Sequence, residues 1–264
     1  EPYGVLFTNG DNDTFPLWYM QEVEGIRRDV TVIVGQYLHT LWYPRQLQRL
    51  TTPGRQRPFE PISGLDLYAD SGIPDSAILK VEPALVDRVV GGQLAQDLTV
   101  SFPTLAVIYP TGTYLDRSHR LALAIIRDSI GQRPIFFATT GGMMGDLGLS
   151  NWGVRHGFAT KLVLEPVEEL DARHTRGSSE LGGERFNVPL TVELYEEVYA
   201  FRSLKNRDIW TDRSTLNIPF QFYALAFQLA DAVERSGGTP EQVERLRGDA
   251  AAFLVTSRGG VLGT

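Results

Sequence analysis

No cysteine occurs among the 264 residues, which excludes disulfides, thiolate zinc sites and cysteine nucleophiles. Lysine is almost missing too: Lys80, Lys161 and Lys205 are the only ones among 25 cationic residues, and the rest are arginine. No apolar run approaches the roughly 18 residues that a membrane-spanning helix needs, so this stretch is not expected to span a bilayer. The formal net charge is −7, and no basic patch with interleaved aromatics offsets it. Such a surface repels polyphosphate backbones, so nucleic acid is not an expected partner. The four histidines, His39, His119, His156 and His174, show no pair at metal-ligand spacing. Neither a metal nor a cofactor is therefore expected. Gly141 to Gly145 (GGMMG) matches neither the dinucleotide fingerprint nor the phosphate loop with its lysine, and no Gly-x-Ser-x-Gly elbow occurs.

What is present has the composition of an ordinary globular protein, 42% hydrophobic and 22% charged. Gly4 to Thr8 (GVLFT) reads as a buried strand, Asn9 to Thr14 (NGDNDT) as a polar turn, and Phe15 to Gly25 as a helix stopped by glycine. Val30 to Val34 (VTVIV) is a β-branched run suited to a strand buried on both faces. A helix is expected from about His39 to Leu50 and another around Pro83 to Gln96. Leu105 to Tyr109, Ser118 to Ser129 and Pro134 to Ala138 repeat a strand-helix-strand pattern. The fold class is therefore α/β: a Rossmann-like, open, mostly parallel sheet with flanking helices, followed by a small helical C-terminal region. Within that last region Leu194, Val198 and Phe201 would share a helix face. The run from Phe220 to Val233 should be a largely buried helix, and Thr239, Pro240 and Gln242 open a final helix whose apolar face is Val243, Leu246, Ala250 and Phe253. The expected boundaries are an α/β domain at 1–167, a polar, glycine-rich linker at 168–187 and a helical region at 188–264.

Three segments should meet where chemistry is possible. Asn9-Gly10-Asp11-Asn12-Asp13-Thr14 follows a strand and precedes a helix, which in an open α/β sheet is the carboxyl edge where ligands bind. Asn9, Asp11 and Asp13 could there position a sugar hydroxyl, a cation or a reacting group. Local chemistry offers the alternative that Asp13 or Thr14 caps the helix. An EF-hand loop does not fit, because its glycine position holds Pro16 and an oxygen-ligand position holds Phe15. His39, Tyr43 and Arg45 follow the second strand, and Thr139 and Thr140 follow Pro134 to Ala138. If the three strands are parallel neighbours, all of these groups face one crevice suited to a polyhydroxylated ligand or a polar peptide. Trp42 and Tyr43 could equally be packing residues, and Arg45 could pair with surface carboxylates.

The run GVLFTNGDNDTFPLWYMQEVEGIRRDVTVI, then TLWYPRQL at Thr40 to Leu47, resembles a block of a large bacterial family of multi-spanning membrane proteins of unknown function. That family is related to a eukaryotic transmembrane protein O-mannosyltransferase and is grouped with membrane-embedded, lipid-linked-sugar glycosyltransferases. RPIFFATTGG at Arg133 to Gly142 and LGLSNWGVRHGFATKLVLEP at Leu147 to Pro166 resemble the same region. The continuation of the second strand through Gly35 to His39 departs from the family pattern. The resemblance implies a piece of a longer chain: the extracytoplasmic, periplasmic domain of a membrane-anchored glycosyltransferase-like protein, accessory to catalysis. Its expected partners are the membrane-spanning remainder of its own chain and a glycan, lipid-linked sugar or acceptor protein. Two alternatives stand beside it: an independent carboxylate- or metal-dependent enzyme acting on a glycan or phosphorylated sugar, and a protein-interaction module using the C-terminal helices.

Overall fold

A computed structural model describes residues 1–61, 71–165, 174–176 and 184–261. The chain begins with β1 (Val5–Thr8), α1 (Asp11–Glu22) and β2 (Thr31–Val34), then a 3₁₀ turn (Gly35–His39) and α2 (Trp42–Leu50). Next come α3 (Pro83–Val86), β3 (Gly92–Gln93), β4 (Leu98–Ser101), β5 (Ala106–Tyr109), β6 (Tyr114–Leu115) and α4 (Arg117–Ser129). These are followed by β7 (Ile135–Ala138), α5 (Met143–Asp146), β8 (Gly153–His156) and β9 (Ala159–Leu162). Two compact units result: Glu1–Trp152 with Ala159–Glu165, and Gly153–Phe158 with Pro166–Thr264.

In the first unit the strand order is β9-β7-β1-β2. β1 is central, and both of its neighbours run parallel to it, with Phe7 opposite Ile33 on one side and Phe137 on the other. β9 pairs antiparallel with β7. The strand residues are apolar because the sheet is covered: Val5, Phe7, Ile33, Val34, Ile135 and Phe137 are all buried, and the rings of Phe7 and Phe137 stack at 5.1 Å. α4 supplies the largest apolar helix face, with Leu121, Ala122, Ile125 and Ile126 inward. Its N-cap, Asp116, accepts a hydrogen bond from the His119 N–H at 2.8 Å. The mixed α/β class with a mostly parallel sheet and flanking helices is thus the observed one.

A buried polar network closes the base of this sheet. Asp29, fully buried, accepts the Tyr3 N–H at 2.8 Å and both Nε and Nη2 of Arg27 at 3.0 and 3.1 Å. Gln56 donates to the Asp29 carbonyl, and the buried Arg133 donates to Gln56. Arg117 is buried likewise, and its guanidinium reaches the carbonyls of Leu38, Thr40, Val86 and Val89. It ties the turn after β2 to α3 with no carboxylate partner among the described residues.

Several elements differ from expectation. α1 starts at Asp11, four residues before Phe15, because Gly10 takes the extended cap conformation and the acidic first turn favours the helix amino terminus. The helix expected over 83–96 stops at Val86. A β-carbon at Gly91 would stand 2.9 Å from the Asp116 Cα, so the chain there passes too close to α4 for a regular helix to continue. β5 is present, but it pairs antiparallel with β4 in a separate hairpin and alternates exposed and buried residues. The second strand-helix-strand pattern therefore shares only α4 and β7 with the main sheet region.

The second unit adds β10 (His174–Arg176), β11 (Arg185–Asn187), α6 (Val188–Glu193), β12 (Ile209–Trp210), α7 (Asn217–Arg235), α8 (Pro240–Thr256) and β13 (Gly260–Val261). β11 pairs parallel with β8 and antiparallel with β10. Most of 168–187, the stretch expected to be a linker, lies outside the described residues. α7 and α8 pack as a pair around Leu225, Leu229, Val233, Val243, Leu246 and Phe253. Thr239 and Gln242 form the expected capping box with Pro240 at the first helical position. Leu194, Val198 and Phe201 do not share a helix face, because a π-helical turn (Leu194–Val198) follows α6 and brings Tyr195 inward. Val198 is left exposed, while Phe201, beyond the helix, packs on Tyr195, Phe222 and Phe253. No helix among the described residues is long and apolar enough to cross a membrane.

Candidate functional site

The carboxyl ends of β1, β2 and β7 lie side by side, as their parallel pairing requires. After β1 the chain turns at Asn9-Gly10 into α1. Asp13 accepts the N–H groups of Asn9 and Gly10 at 2.8 and 2.9 Å, and its Oδ2 also accepts the Thr140 hydroxyl at 2.7 Å. One carboxylate therefore satisfies two backbone donors at the helix entrance and joins the loop after β7 to the loop after β1. Gly141 continues this contact: a β-carbon placed on it would meet the Asn9 Cβ at 3.2 Å. Thr14 is fully buried, and its hydroxyl bonds that of Thr8 at 2.7 Å, anchoring the first turn of α1 to the strand beneath.

Asp11 is exposed, and its carboxylate holds no hydrogen bond or ion pair among the described residues. Phe15 and Trp18 follow it at i+4 and i+7, which sets all three on one face of α1. From that face a chain of rings continues. Phe15 and Trp18 lie 5.8 Å apart, Trp18 and Tyr37 6.3 Å, and Tyr37 and Trp42 6.0 Å. Tyr37 and Trp42 both abut Tyr43 in edge-on geometry. The outer rings are open to solvent, Phe15 at 47% and Trp42 at 54%.

The remaining candidates have distinct placements. Tyr43 is buried, donates its hydroxyl to the Val32 carbonyl and accepts the Val34 N–H; burial pushes its phenol up to about 12. It holds the end of β2 and supports the two rings above it. Arg45 makes a two-pronged ion pair with Asp87. His39 ends the 3₁₀ turn half exposed, with Nε2 3.8 Å from Asp116 Oδ2. Burial tends to raise the Asp116 carboxyl, but the His119 N–H, the Ser118 hydroxyl and the two imidazoles hold it below the ordinary value. Thr139 sits half-buried beside Thr140 at the end of β7. The structure thus joins Asn9, Asp13 and Thr140 directly and sets Asp11 on the adjoining helix face, while Arg45 is occupied by Asp87 and Tyr43 lies within the core. Phe15, Trp18 and Tyr37 were not singled out from sequence. Their i, i+3 spacing on α1 was a usable signal for the first two, but Tyr37 joins them only through the tertiary fold. No group of three or more His, Asp or Glu residues among the described residues is arranged to hold a metal ion.

The comparisons with known proteins reach part of this region. Residues 1–61 match the family described as TMEM260-associated domain 2. That stretch contains β1, α1, β2 and α2, hence both the acidic turn and all the rings of the aromatic chain, and the match fits a relation to TMEM260. No curated protein and no solved structure matches the chain.

Proposed function

We propose that this chain is a carbohydrate-binding accessory domain of a membrane glycosyltransferase-like protein, facing the extracytoplasmic side and holding the sugar or the glycosyl acceptor without itself performing the transfer. The observation that carries this reading is the chain of partly exposed rings from Phe15 to Trp42 beside a carboxylate, Asp11, that holds no partner among the described residues. Aromatic faces carry partial negative charge and a large apolar area, which suits the C–H faces of a pyranose, while a carboxylate accepts two hydroxyl hydrogens. The relation of residues 1–61 to TMEM260 supports the assignment to a glycosyltransferase-like parent. Asp13 is already committed to two N–H groups and the Thr140 hydroxyl, which supports a role in shaping the site over one in proton transfer.

Titration calorimetry with a panel of soluble sugar phosphates and glycopeptides, with and without Mn²⁺ or Mg²⁺, tests this. Asp11→Asn and Trp42→Ala should each weaken binding by about tenfold or more while leaving the melting temperature nearly unchanged, since both side chains are exposed. Binding that both variants retain in full would remove the edge from consideration as the site.

A further inference from the structure

A cavity in the same unit shares no lining residue with the acidic edge. It is an open cleft of about 590 Å³, within the range of small-molecule sites, bordered by the segment from Arg88 to Gln93, the inner face of β4 and one stripe of α4. On α4, Arg120, Leu123, Ala124 and Arg127 fall at i, i+3, i+4 and i+7, so two guanidinium groups frame an apolar strip. Leu98 and Val100, two apart on β4, form the facing wall, and Arg88 stands at the rim. The lining contains three arginines and no carboxylate, in a chain whose net charge is −7. Arg127 is paired with Asp128. Among the described residues Arg120 donates only to the carbonyls of Leu115 and Gly92, both at 3.3 Å, which hold its guanidinium in place without neutralising it. Arg88 has no carboxylate partner among the described residues.

Two guanidinium groups without a carboxylate partner among the described residues, Arg88 and Arg120, thus stand beside an apolar floor. The planar guanidinium fork matches a carboxylate or phosphate monoester, and the strip between the arginines matches a short hydrocarbon body. We infer that this cavity is a binding site for a small amphipathic anion, its carboxylate or phosphate head held by Arg88 and Arg120 and its apolar body lying on Leu123, Ala124, Leu98 and Val100.

Calorimetry on the intact chain, with ligands kept below their micelle concentrations, tests the inference. Decanoate and octyl phosphate are the probes, and comparing them tells a carboxylate head from a phosphate head. Inorganic phosphate is the head without the body, and octyltrimethylammonium the body with the wrong charge. One or both anionic amphiphiles should bind, with inorganic phosphate and octyltrimethylammonium each at least about tenfold weaker. Arg88→Gln, at an exposed position, should cost about tenfold, and Ala124→Trp, which fills the floor, should abolish binding while circular dichroism stays native. Asp11→Asn should leave this binding intact, which separates it from the sugar site. Equal binding of the cationic amphiphile, undiminished binding in Arg88→Gln, or no heat from either anion would each overturn the inference. If Ala124→Trp does not fold, Arg88→Gln and the charge-reversed probe decide the matter.

Discussion

The two units of this protein each have an apolar core, but they differ in how local that core is in the sequence. The second is built around α7 and α8, neighbours in sequence, and its core is a continuous set of apolar side chains from Leu225 to Phe253. The first draws its apolar core from segments spread between Val5 and Leu162, and joins distant partners by polar contacts as well: Asp29 with Tyr3, Arg133 with Gln56, Arg117 with Leu38 and Val86, Asp13 with Thr140. Local apolar packing tolerates exchange of one hydrophobe for another, whereas a buried charge tolerates no loss of its partner. The polar edge and the arginine-lined cavity both belong to the first unit, where contacts between distant segments position backbone ends and charged side chains.

The comparison can be broken most forcefully in the second unit. Phe253 is fully buried and packs its ring on Phe201 and Phe222. Phe253→Ala should cost about 4 kcal/mol, with hydrogen exchange accelerating in α7 and α8. An effect below about 1 kcal/mol would mean that the helix pair is not cored as described. The matching test in the first unit is Asp29→Ala, which strands Arg27 and the Tyr3 N–H and should cost about 3 kcal/mol, read as faster exchange of the β1 and β2 amides. Exchange that changes only in the helix pair would invert the comparison.

Asp13→Asn keeps an acceptor but removes the charge at the start of α1, and about 1 kcal/mol should be lost in denaturant melts. The Asn9 and Gly10 amides should then lose protection; if they do not, the carboxylate is not what holds the turn. The smallest effect concerns pH. Because the folded Asp116 carboxyl titrates below its ordinary value of about 3.9, its contribution is present in full above that value. It fades as the pH falls through the depressed folded value. Asp116→Asn should flatten this part of the stability profile by no more than about 1 kcal/mol, and an unchanged acid limb would show that the cap carries no linkage.

Where local pattern was sufficient, the sequence was easily read. The face Val243, Leu246, Ala250 and Phe253 is buried as expected, because residues at helical spacing must share a side whatever they pack against. β1, β2 and β7 were recognisable from short apolar runs, and with them the edge carrying Asn9 to Thr14. β5 shows the limit: LAVIY reads as a strand in a strand-helix-strand pattern, yet it pairs in a separate hairpin with Ile108 in solvent, since a short apolar run does not reveal its pairing partner. Arg45 and Tyr43 teach the same lesson at the site. Their residue types suited a ligand, but Asp87, 42 positions away, takes the first, and the β2 backbone takes the second.

By itself the sequence determined the α/β class, the helix pair with its capping box, and the presence of carboxylates and hydroxyls at one sheet edge, because spacing and cap chemistry act within a few residues. Only the tertiary structure decided which carboxylate is consumed by the turn and which is left open. It alone aligned Phe15, Trp18, Tyr37 and Trp42 into one surface and gathered Arg88, Arg120 and Arg127 around one cavity. Each of those outcomes depends on which distant segments are brought within a few ångströms of each other, and that is set by the packing of the whole unit.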